Sequence, residues 1–217
     1  MTSSVLRSEN SRVYRVVLLR IDELRPHEKG SPVYLELLRR EILRDGMLRY
    51  PIVADEKTRV ILDGMHRWLA LKSAGYKSIP VLLVDVFQKP AIRVGRKRIH
   101  QYMTDSVEEM TVERVISAGL DGQLMEPRTT RHFFPFSKHQ LINYPLSLLN
   151  KGVPCDVSSY LSKESYEEGS SAIKQWLEEI SEELNYLTKK KAEVEKEKEE
   201  FLNRVKNLCG FPAFQVS

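Results

Sequence analysis

The sequence predicts an α/β (α+β) domain at the N-terminus, then an irregular segment and a long C-terminal helix. From Val13 to about Val86, short apolar runs alternate with stretches of helical periodicity. From about Ser159 to Leu208, apolar residues recur every three or four positions in a highly charged sequence. The segment between these two regions is rich in proline and polar residues. We therefore expect three parts, residues 1–90, 91–158 and 159–217.

The first part begins with a strand, a helix and a hairpin. The stretch YRVVLLRIDEL predicts a strand that leads into a turn. In SPVYLELLRREILRDGM the apolar residues have helical spacing, and Asp45-Gly46 is a typical helix end. The stretch YPIVADEKTRVILDG predicts two short strands around the polar turn DEKT.

A second helix and a further strand complete this part. The stretch HRWLALKSAGY predicts a helix that Gly75 can terminate. The following SIPVLLVDV is rich in β-branched residues, which is typical of a strand. The order strand, helix, hairpin, helix, strand indicates a small α/β unit.

The middle part gives a weaker pattern. TVERVISAGLDGQ predicts a short helix that ends in glycine. PRTTRHFFPFSKHQLINYPLSLL combines prolines, aromatics and polar groups, which favours either an irregular cap over the domain or a binding loop. The basic stretch RVGRKRIH, residues 93–100, predicts a surface loop, with contact to nucleotide or nucleic acid as the alternative.

The C-terminal part has a heptad pattern. Apolar residues fill nine of eleven positions that lie alternately four and three residues apart, which predicts a coiled coil or a helical hairpin arm. Lysines at the other two positions weaken the seam and favour a homodimer. The run KKKAEVEKEKEE indicates a solvated face first and a nucleic-acid contact second. The eleven positions are Ile173, Leu177, Ile180, Leu184, Leu187, Lys191, Val194, Lys198, Phe201, Val205 and Leu208.

Composition restricts the function only loosely. A net charge of +4 and a pI of about 9.0 permit binding of an anion, a nucleotide or nucleic acid, and are equally consistent with mere solubility. No run of ~20 apolar residues predicts a membrane span. The N-terminal sequence lacks an apolar secretory core, so we expect a cytoplasmic protein. Cys155 and Cys209 form neither a disulfide framework nor a metal-ligand pattern.

The stretch LDGMHR is the main candidate for a site. A turn from a strand into a helix presents backbone N–H groups and the positive end of the helix dipole, which together attract an anion. Gly64 lets a phosphate approach the backbone, His66 and Arg67 add positive groups, and Asp63 can hold a divalent metal or a hydroxyl. The structural alternative is that Asp63 caps the helix, Gly64 fits a tight turn, and the other two side chains point outward.

The stretch LDGMHRWLALKSAGYKSIPV resembles the nucleotide-binding motif of the ParB/sulfiredoxin-like superfamily, in which a G-x-H-R or similar turn holds phosphates. Sulfiredoxins have a catalytic cysteine immediately before the histidine of this turn, whereas this chain has Met65 there. Chromosome-partitioning ParB proteins have a G-E-R-R-type turn followed by a helix-turn-helix domain. Here the turn reads GMHR and is followed by TTRHFFPF and the heptad arm.

Residues 13–150 are most similar to the free serine kinases of this superfamily. Three stretches, LRPHE, LDGMHR and PRTTRHFFPF, occur in that group's order, with DGML between the first two. The resemblance implies transfer of a phosphoryl group from ADP or ATP to the hydroxyl of free L-serine, with O-phospho-L-serine as product. It does not distinguish the two donors. The alternative is a non-catalytic, nucleotide-dependent ParB-like protein that binds DNA or a partner.

The same resemblance implies roles for individual residues. Glu28 matches the general base that accepts the proton of the serine hydroxyl. A nucleotide and phosphate group would be bound by Asp63, Gly64, Met65, His66 and Arg67, with Asp63 also the candidate ligand of Mg²⁺. A substrate group would face the amino acid and the transferred phosphate. Its members are Thr129, Thr130, Arg131 and His132.

Overall fold

The computed structural model describes residues 5–7, 13–87, 92–96, 110–136 and 141–209. The chain divides into two compact units, Met1–Gly169 and Ser170–Ser217. The boundaries at residues 90 and 158 stay predictions.

A five-stranded sheet organises the first unit. Strand β2 pairs antiparallel with β6, β6 pairs parallel with β4, and β4 forms an antiparallel hairpin with β5. The predicted pair of short strands around DEKT is therefore confirmed. In spatial order the strands are β1 (Val5–Arg7), β2 (Val13–Arg20), β6 (Ser78–Val84), β4 (Ile52–Asp55) and β5 (Ile61–Asp63).

Two helices, both predicted by the sequence, cover one face of this sheet. Helix α1 (Pro32–Asp45) begins after Ser31, whose hydroxyl accepts from the backbone of the first turn, and ends at Gly46 in the left-handed conformation. Helix α2 (Met65–Ser73) lies against α1. Its Trp68 is buried, and the indole N–H donates to the Ile21 carbonyl at 2.9 Å.

The opposite face of the sheet has a second apolar cluster. Neighbouring residues of the central strands alternate between the two clusters, since Ile52 belongs to the first and Val53 to the second. Helix α3 (Val112–Asp121) covers this second face with Val115 and Ile116. Because both faces are covered, all of β4 and all of β6 except Leu83 are buried, which explains why both strands are mostly apolar.

The middle part contains more regular structure than its sequence predicts. Residues of the predicted surface loop form β7 (Arg93–Arg96), which pairs antiparallel with β8 (Thr130–Phe133), while residues 97–100 lie outside the described part. The prediction of a loop was wrong there because both strands are short and carry polar residues. In β8, Thr130 and His132 are buried and the other two residues are exposed, which is the period of a strand.

Short elements connect these larger ones. Strand β3 (Met47–Leu48) pairs antiparallel with β9 (Tyr144–Pro145). Single turns of 3₁₀-helix occupy Ile21–Glu23, Leu146–Leu148 and Ser158–Tyr160.

Helix α4 (Tyr166–Cys209) has 44 residues and enters the second unit. It begins later than residue 159, because the Ser165 hydroxyl accepts from the Glu168 N–H and the Glu168 carboxylate accepts from the Ser165 N–H. Among the predicted heptad positions, Leu177, Leu184, Val194 and Phe201 are exposed in the single chain. Neither this helix nor any other in the described ranges is both long and apolar enough to span a membrane.

Candidate active site

The turn between β5 and α2 is stabilised by contacts among its own residues. Gly64 is the N-cap residue of α2 and has a φ of +93°, so Asp63 does not cap the helix as the structural alternative proposed. Instead, the Asp63 Oδ2 atom accepts from the Arg67 guanidinium at 2.6 Å. A Cβ atom on residue 64 would lie 2.7 Å from Arg67 Nη2. The backbone conformation therefore favours glycine here, and a Cβ atom would also displace the Arg67 guanidinium.

Arg67 does not point outward. Its side chain is only 17% exposed. Its Nε–H is buried and has no hydrogen-bond partner within the described residues. The N-terminal backbone N–H groups of a helix also lack partners inside the helix. An anion at this turn would meet both kinds of donor.

His66 connects this turn to the loop before α1. Its Nε2 atom accepts from the Ser31 N–H at 2.8 Å, so the ring proton of neutral His66 is on Nδ1. The ring also packs edge-on against Tyr34, with a centroid distance of 4.7 Å. Met65 belongs to the predicted phosphate-binding group, but its side chain is buried in the core of the domain.

Glu28 contacts Thr130, a member of the predicted substrate group, although 102 residues separate the two in the sequence. The backbone around Glu28 pairs with Met125, because the Lys29 N–H donates to the Met125 carbonyl at 2.8 Å. Beyond this bridge, the Glu28 Oε2 atom accepts from the Thr130 N–H at 3.4 Å and lies 3.3 Å from the Thr130 hydroxyl. The fold thus brings together two residues that the sequence nominated separately.

His27 lies behind this pair, and sequence reasoning assigned it no role. Its Nδ1–H donates to the Ile61 carbonyl at 2.6 Å, and its Nε2 lies 2.8 Å from the Thr130 hydroxyl. The ring is 3% exposed, and burial lowers the pKa of His27, opposed by the Glu28 carboxylate and the Ile61 carbonyl. The signal that could have found His27 is its place directly before the candidate base in RPHE.

The other predicted substrate residues are distributed over different surfaces. The Thr129 hydroxyl donates to the Glu126 carbonyl at 2.6 Å within the turn before β8. Arg131 is exposed and lies over the Phe133 ring at 5.3 Å. His132 is buried and packs edge-on against His27, with a centroid distance of 5.5 Å. Thr130 therefore contacts both Glu28 and His27, His132 packs against His27, and Arg131 lies on the opposite side of β8.

Arg128 is a further residue that sequence reasoning missed. It donates to Glu164 at 3.0 Å, and both side chains are less than 20% exposed. This ion pair connects the turn before β8 to the segment that precedes α4, so it supports the position of Thr130.

The described residues contain no group of three or more His, Cys, Asp or Glu side chains arranged to hold a metal ion. Mg²⁺ in nucleotide sites is commonly held by one or two carboxylates together with phosphate oxygens. Asp63 at the turn fits that smaller requirement.

No protein-family model matches the chain. Several curated relatives match part of it. An ATP-dependent L-serine kinase from Staphylothermus marinus is 35% identical over 77 residues, an ADP-dependent L-serine kinase from Thermococcus kodakarensis 31% over 75, and a ParB-like protein from Sulfolobus acidocaldarius 42% over 65. These matches cover 34%, 33% and 29% of this chain, and the chain spans 31% of the length of each relative. The resemblance to both groups is thereby confirmed.

Solved structures extend the similarity to the fold. A free serine kinase in complex with AMP superimposes with a TM-score of 0.53 at 17% identity, over 62% of this chain and 93% of that one. The chain has the fold of that kinase. The predicted fold class, an α/β domain followed by a long C-terminal helix, is also confirmed by the elements described above.

Proposed function

We propose that this protein is a small-molecule kinase that transfers a phosphoryl group from ADP or ATP to the hydroxyl of free L-serine. The observation that carries the proposal is the carboxylate of Glu28, held by Thr130 beside the segment that leads to α1. The curated relatives named L-serine kinases support the substrate and the nucleotide.

Glu28 is the general base in this proposal. The serine oxygen forms a bond to the terminal phosphorus as the bond between phosphorus and the nucleotide's bridging oxygen breaks. The proton of the serine hydroxyl goes to the Glu28 carboxylate, which is only partly buried and so can meet a substrate. The products are O-phospho-L-serine and the nucleotide shortened by one phosphate.

The turn after β5 holds the phosphates. Gly64 allows the nucleotide to approach the backbone, and the buried Nε–H of Arg67 gains an acceptor when a phosphate oxygen arrives. This positive charge and the N-terminus of α2 stabilise charge on the transferred group, which is the main catalytic task in phosphoryl transfer. When bound, Mg²⁺ would neutralise phosphate charge, with Asp63 as its protein ligand.

The substrate group is proposed to complete the site from the middle part of the chain. Thr130 and His132 lie on the inner side of β8 with Glu28, so they are the stronger candidates for serine binding. Thr129 and Arg131 would act from the turn and the exposed side of the strand. We retain residues 1–90 as the nucleotide-binding part and 91–158 as the part that completes the substrate site.

The test is direct assay of phosphoserine, by mass spectrometry, after incubation with Mg²⁺, serine and either ADP or ATP. We expect the wild-type chain to form phosphoserine and Glu28→Gln to lower kcat by ~10²–10⁴-fold, the usual contribution of a general base. Nucleotide affinity, measured by calorimetry, should stay within about twofold, because the turn after β5 is intact in that variant.

The matched control is Glu126→Gln. Glu126 is also close to this junction, but its carboxylate is 63% exposed and pairs with Lys29. Its replacement should leave kcat near the wild-type value. Absence of phosphoserine with both donors, or equal activity of Glu28→Gln and the wild type, contradicts the kinase proposal.

A second candidate function is nucleotide-dependent binding of DNA or a partner without catalysis. It is favoured by the ParB-like relative, which has the highest identity of the three compared. This function does not need a carboxylate at Glu28. Retention of duplex DNA that depends on nucleotide, weakens with salt and is unchanged in Glu28→Gln would support it.

We further propose that the C-terminal arm, residues 159–217, forms a homodimer through its apolar seam. The exposed Leu177, Leu184, Val194 and Phe201 support this, because a coiled coil buries residues at such spacing. Sedimentation equilibrium should give twice the chain mass for the wild type and the chain mass for Leu184→Glu.

A further inference from the structure

Three side chains form a continuous polar path that ends in the core. The Glu28 Oε2 atom lies 3.3 Å from the Thr130 hydroxyl oxygen, which lies 2.8 Å from the His27 Nε2 atom. Glu28 is partly exposed, whereas His27 and Thr130 are buried. The path therefore leads from the proposed base to an imidazole that solvent does not reach.

The Ile61 carbonyl determines where the protons are. A carbonyl oxygen can only accept, so the Nδ1 atom of His27 must carry a proton. In the neutral ring, Nε2 is then an acceptor. This nitrogen lies closer to the Thr130 hydroxyl oxygen than the Glu28 carboxylate does. The hydroxyl can donate to either of its two acceptors, the His27 Nε2 atom and the Glu28 carboxylate. Once Glu28 is protonated it becomes a donor, so the hydroxyl oxygen accepts from Glu28 and the hydroxyl proton is directed to His27.

We propose that His27 takes up, through the Thr130 hydroxyl, the proton that Glu28 removes from the acceptor substrate. The inference rests on the proposed role of Glu28 as general base. The Glu28 O–H bond breaks as its proton moves to Thr130 Oγ1, and the original Thr130 proton moves to His27 Nε2. The result is a Glu28 carboxylate and a His27 imidazolium, with charge and atoms conserved. After the product leaves, the proton returns along the same path to Glu28, which is partly exposed and releases it to water.

The surroundings of His27 suit this role. It faces Glu28 from its own segment, the Ile61 carbonyl from β5, and Thr130 and His132 from β8. Burial keeps the resting imidazole neutral by lowering the pKa of His27, so Nε2 is available as an acceptor. The Glu28 carboxylate opposes this effect, and it becomes the counter-charge of the imidazolium once the proton has moved. His27 touches no substrate and is a positioning residue that acts through Thr130.

The first test compares Thr130→Val with Thr130→Ser in the phosphoserine assay across pH 5 to 9. Valine has the shape of threonine without the hydroxyl, so it interrupts the path while filling the same space. We expect Thr130→Val to lower kcat by about 10-fold or more, and to remove the fall in kcat on the acidic side that protonation of His27 causes. Thr130→Ser restores the hydroxyl and should rescue both kcat and the pH profile relative to Thr130→Val.

The second test concerns His27 itself. In His27→Asn, the side-chain amide can still donate to the Ile61 carbonyl but cannot accept the relayed proton. We expect the same change of pH profile as in Thr130→Val, with the melting temperature of each variant reporting on the fold. In the wild-type chain at pH 7.5, ¹⁵N NMR should show His27 protonated on Nδ1 and not on Nε2, a readout that needs no enzymatic activity.

The outcomes separate this inference from the proposed function. If Glu28→Gln loses activity while folded Thr130→Val keeps the wild-type kcat and pH profile, the relay is wrong and the kinase proposal stands. If NMR finds the proton on Nε2, the relay is wrong whatever the activity. If the wild-type chain forms no phosphoserine, the kinase proposal fails and the relay fails with it.

Discussion

Asp63 and Arg67 close the turn after β5 from positions four residues apart, whereas Glu28 meets Thr130 across 102 residues of sequence. The first arrangement needs only a glycine and the first turn of a helix. The second needs β7 and β8 to pair and the backbone near Glu28 to bridge to Met125.

Because of this difference, the two halves of the site should respond differently to substitution. The local half, which is the turn closed by Asp63 and Arg67, should lose its phosphate-binding geometry after a single substitution inside the turn, with little effect on distant segments. The distant half, which is the contact between Glu28 and Thr130, depends on buried contacts between segments. A condition that changes those contacts should therefore change both its catalytic activity and the stability of the fold.

The largest effect is expected from Gly64→Ala. A side chain at a φ of +93° is strained, and its Cβ would displace the guanidinium of Arg67. We expect a loss of about 1–3 kcal/mol in the free energy of unfolding. Losing the charged donor should also weaken nucleotide binding by about 10-fold or more. Urea denaturation and calorimetry measure the two effects.

Gly122→Ala is the matched control for this change. Gly122 also has a positive φ, +69°, but a Cβ atom there has no neighbour within 4 Å. This variant should show backbone strain of about 1–2 kcal/mol and normal nucleotide affinity. Equal nucleotide affinities in the two variants would show that Arg67 does not act through the turn.

A smaller effect is expected from pH, through His27. Burial lowers its pKa in the folded protein below the unfolded value near 6.5, so the unfolded chain binds more protons. The associated stability is fully present above about pH 6.5 and is lost as the pH falls through the folded-state pKa. The melting temperature should therefore decrease between pH 7.5 and 5.5.

In His27→Asn this decrease should become smaller, because asparagine does not titrate. The carboxylates with lowered pKa, such as Asp22 and Asp45, lose their stabilising contribution at lower pH and do not obscure the comparison. An identical decrease in the wild type and the variant would contradict the role of His27.

The smallest effect is expected in the long helix. Lys190 pairs with Glu193 at 2.8 Å, but both side chains are more than half exposed, so solvent screens the pair. Lys190→Ala should change the free energy of unfolding by no more than about 0.5 kcal/mol. A larger loss in urea denaturation would show that this surface is covered in solution.

The local half of the site was largely predictable from sequence. A glycine between a strand and a helix indicates a turn, and the spacing of Asp63 and Arg67 places both on one side of it. The sequence did not reveal that Arg67 pairs with Asp63 and folds over Gly64, nor that the side chain of Met65 enters the core. These details depend on packing.

The individual residues of the distant half could be predicted from sequence, but the contact between them could not. Glu28 and Thr130 entered through separate motifs, and periodicity carries no information on which segments pair across the chain. Strands β7 and β8 were predicted as loops because four-residue strands with arginine and histidine give little apolar alternation. His27 was overlooked because its burial results from that pairing.

The hydrogen bond from the Ser31 N–H to His66 has an additional consequence for energetics. It attaches the loop that follows Glu28 to the first turn of the helix that carries Arg67. Substitutions on the two sides of this bond should therefore not be additive, since each changes the geometry that the other experiences. Removal of the serine proton by Glu28 and binding of the nucleotide phosphates by Arg67 would then be thermodynamically coupled.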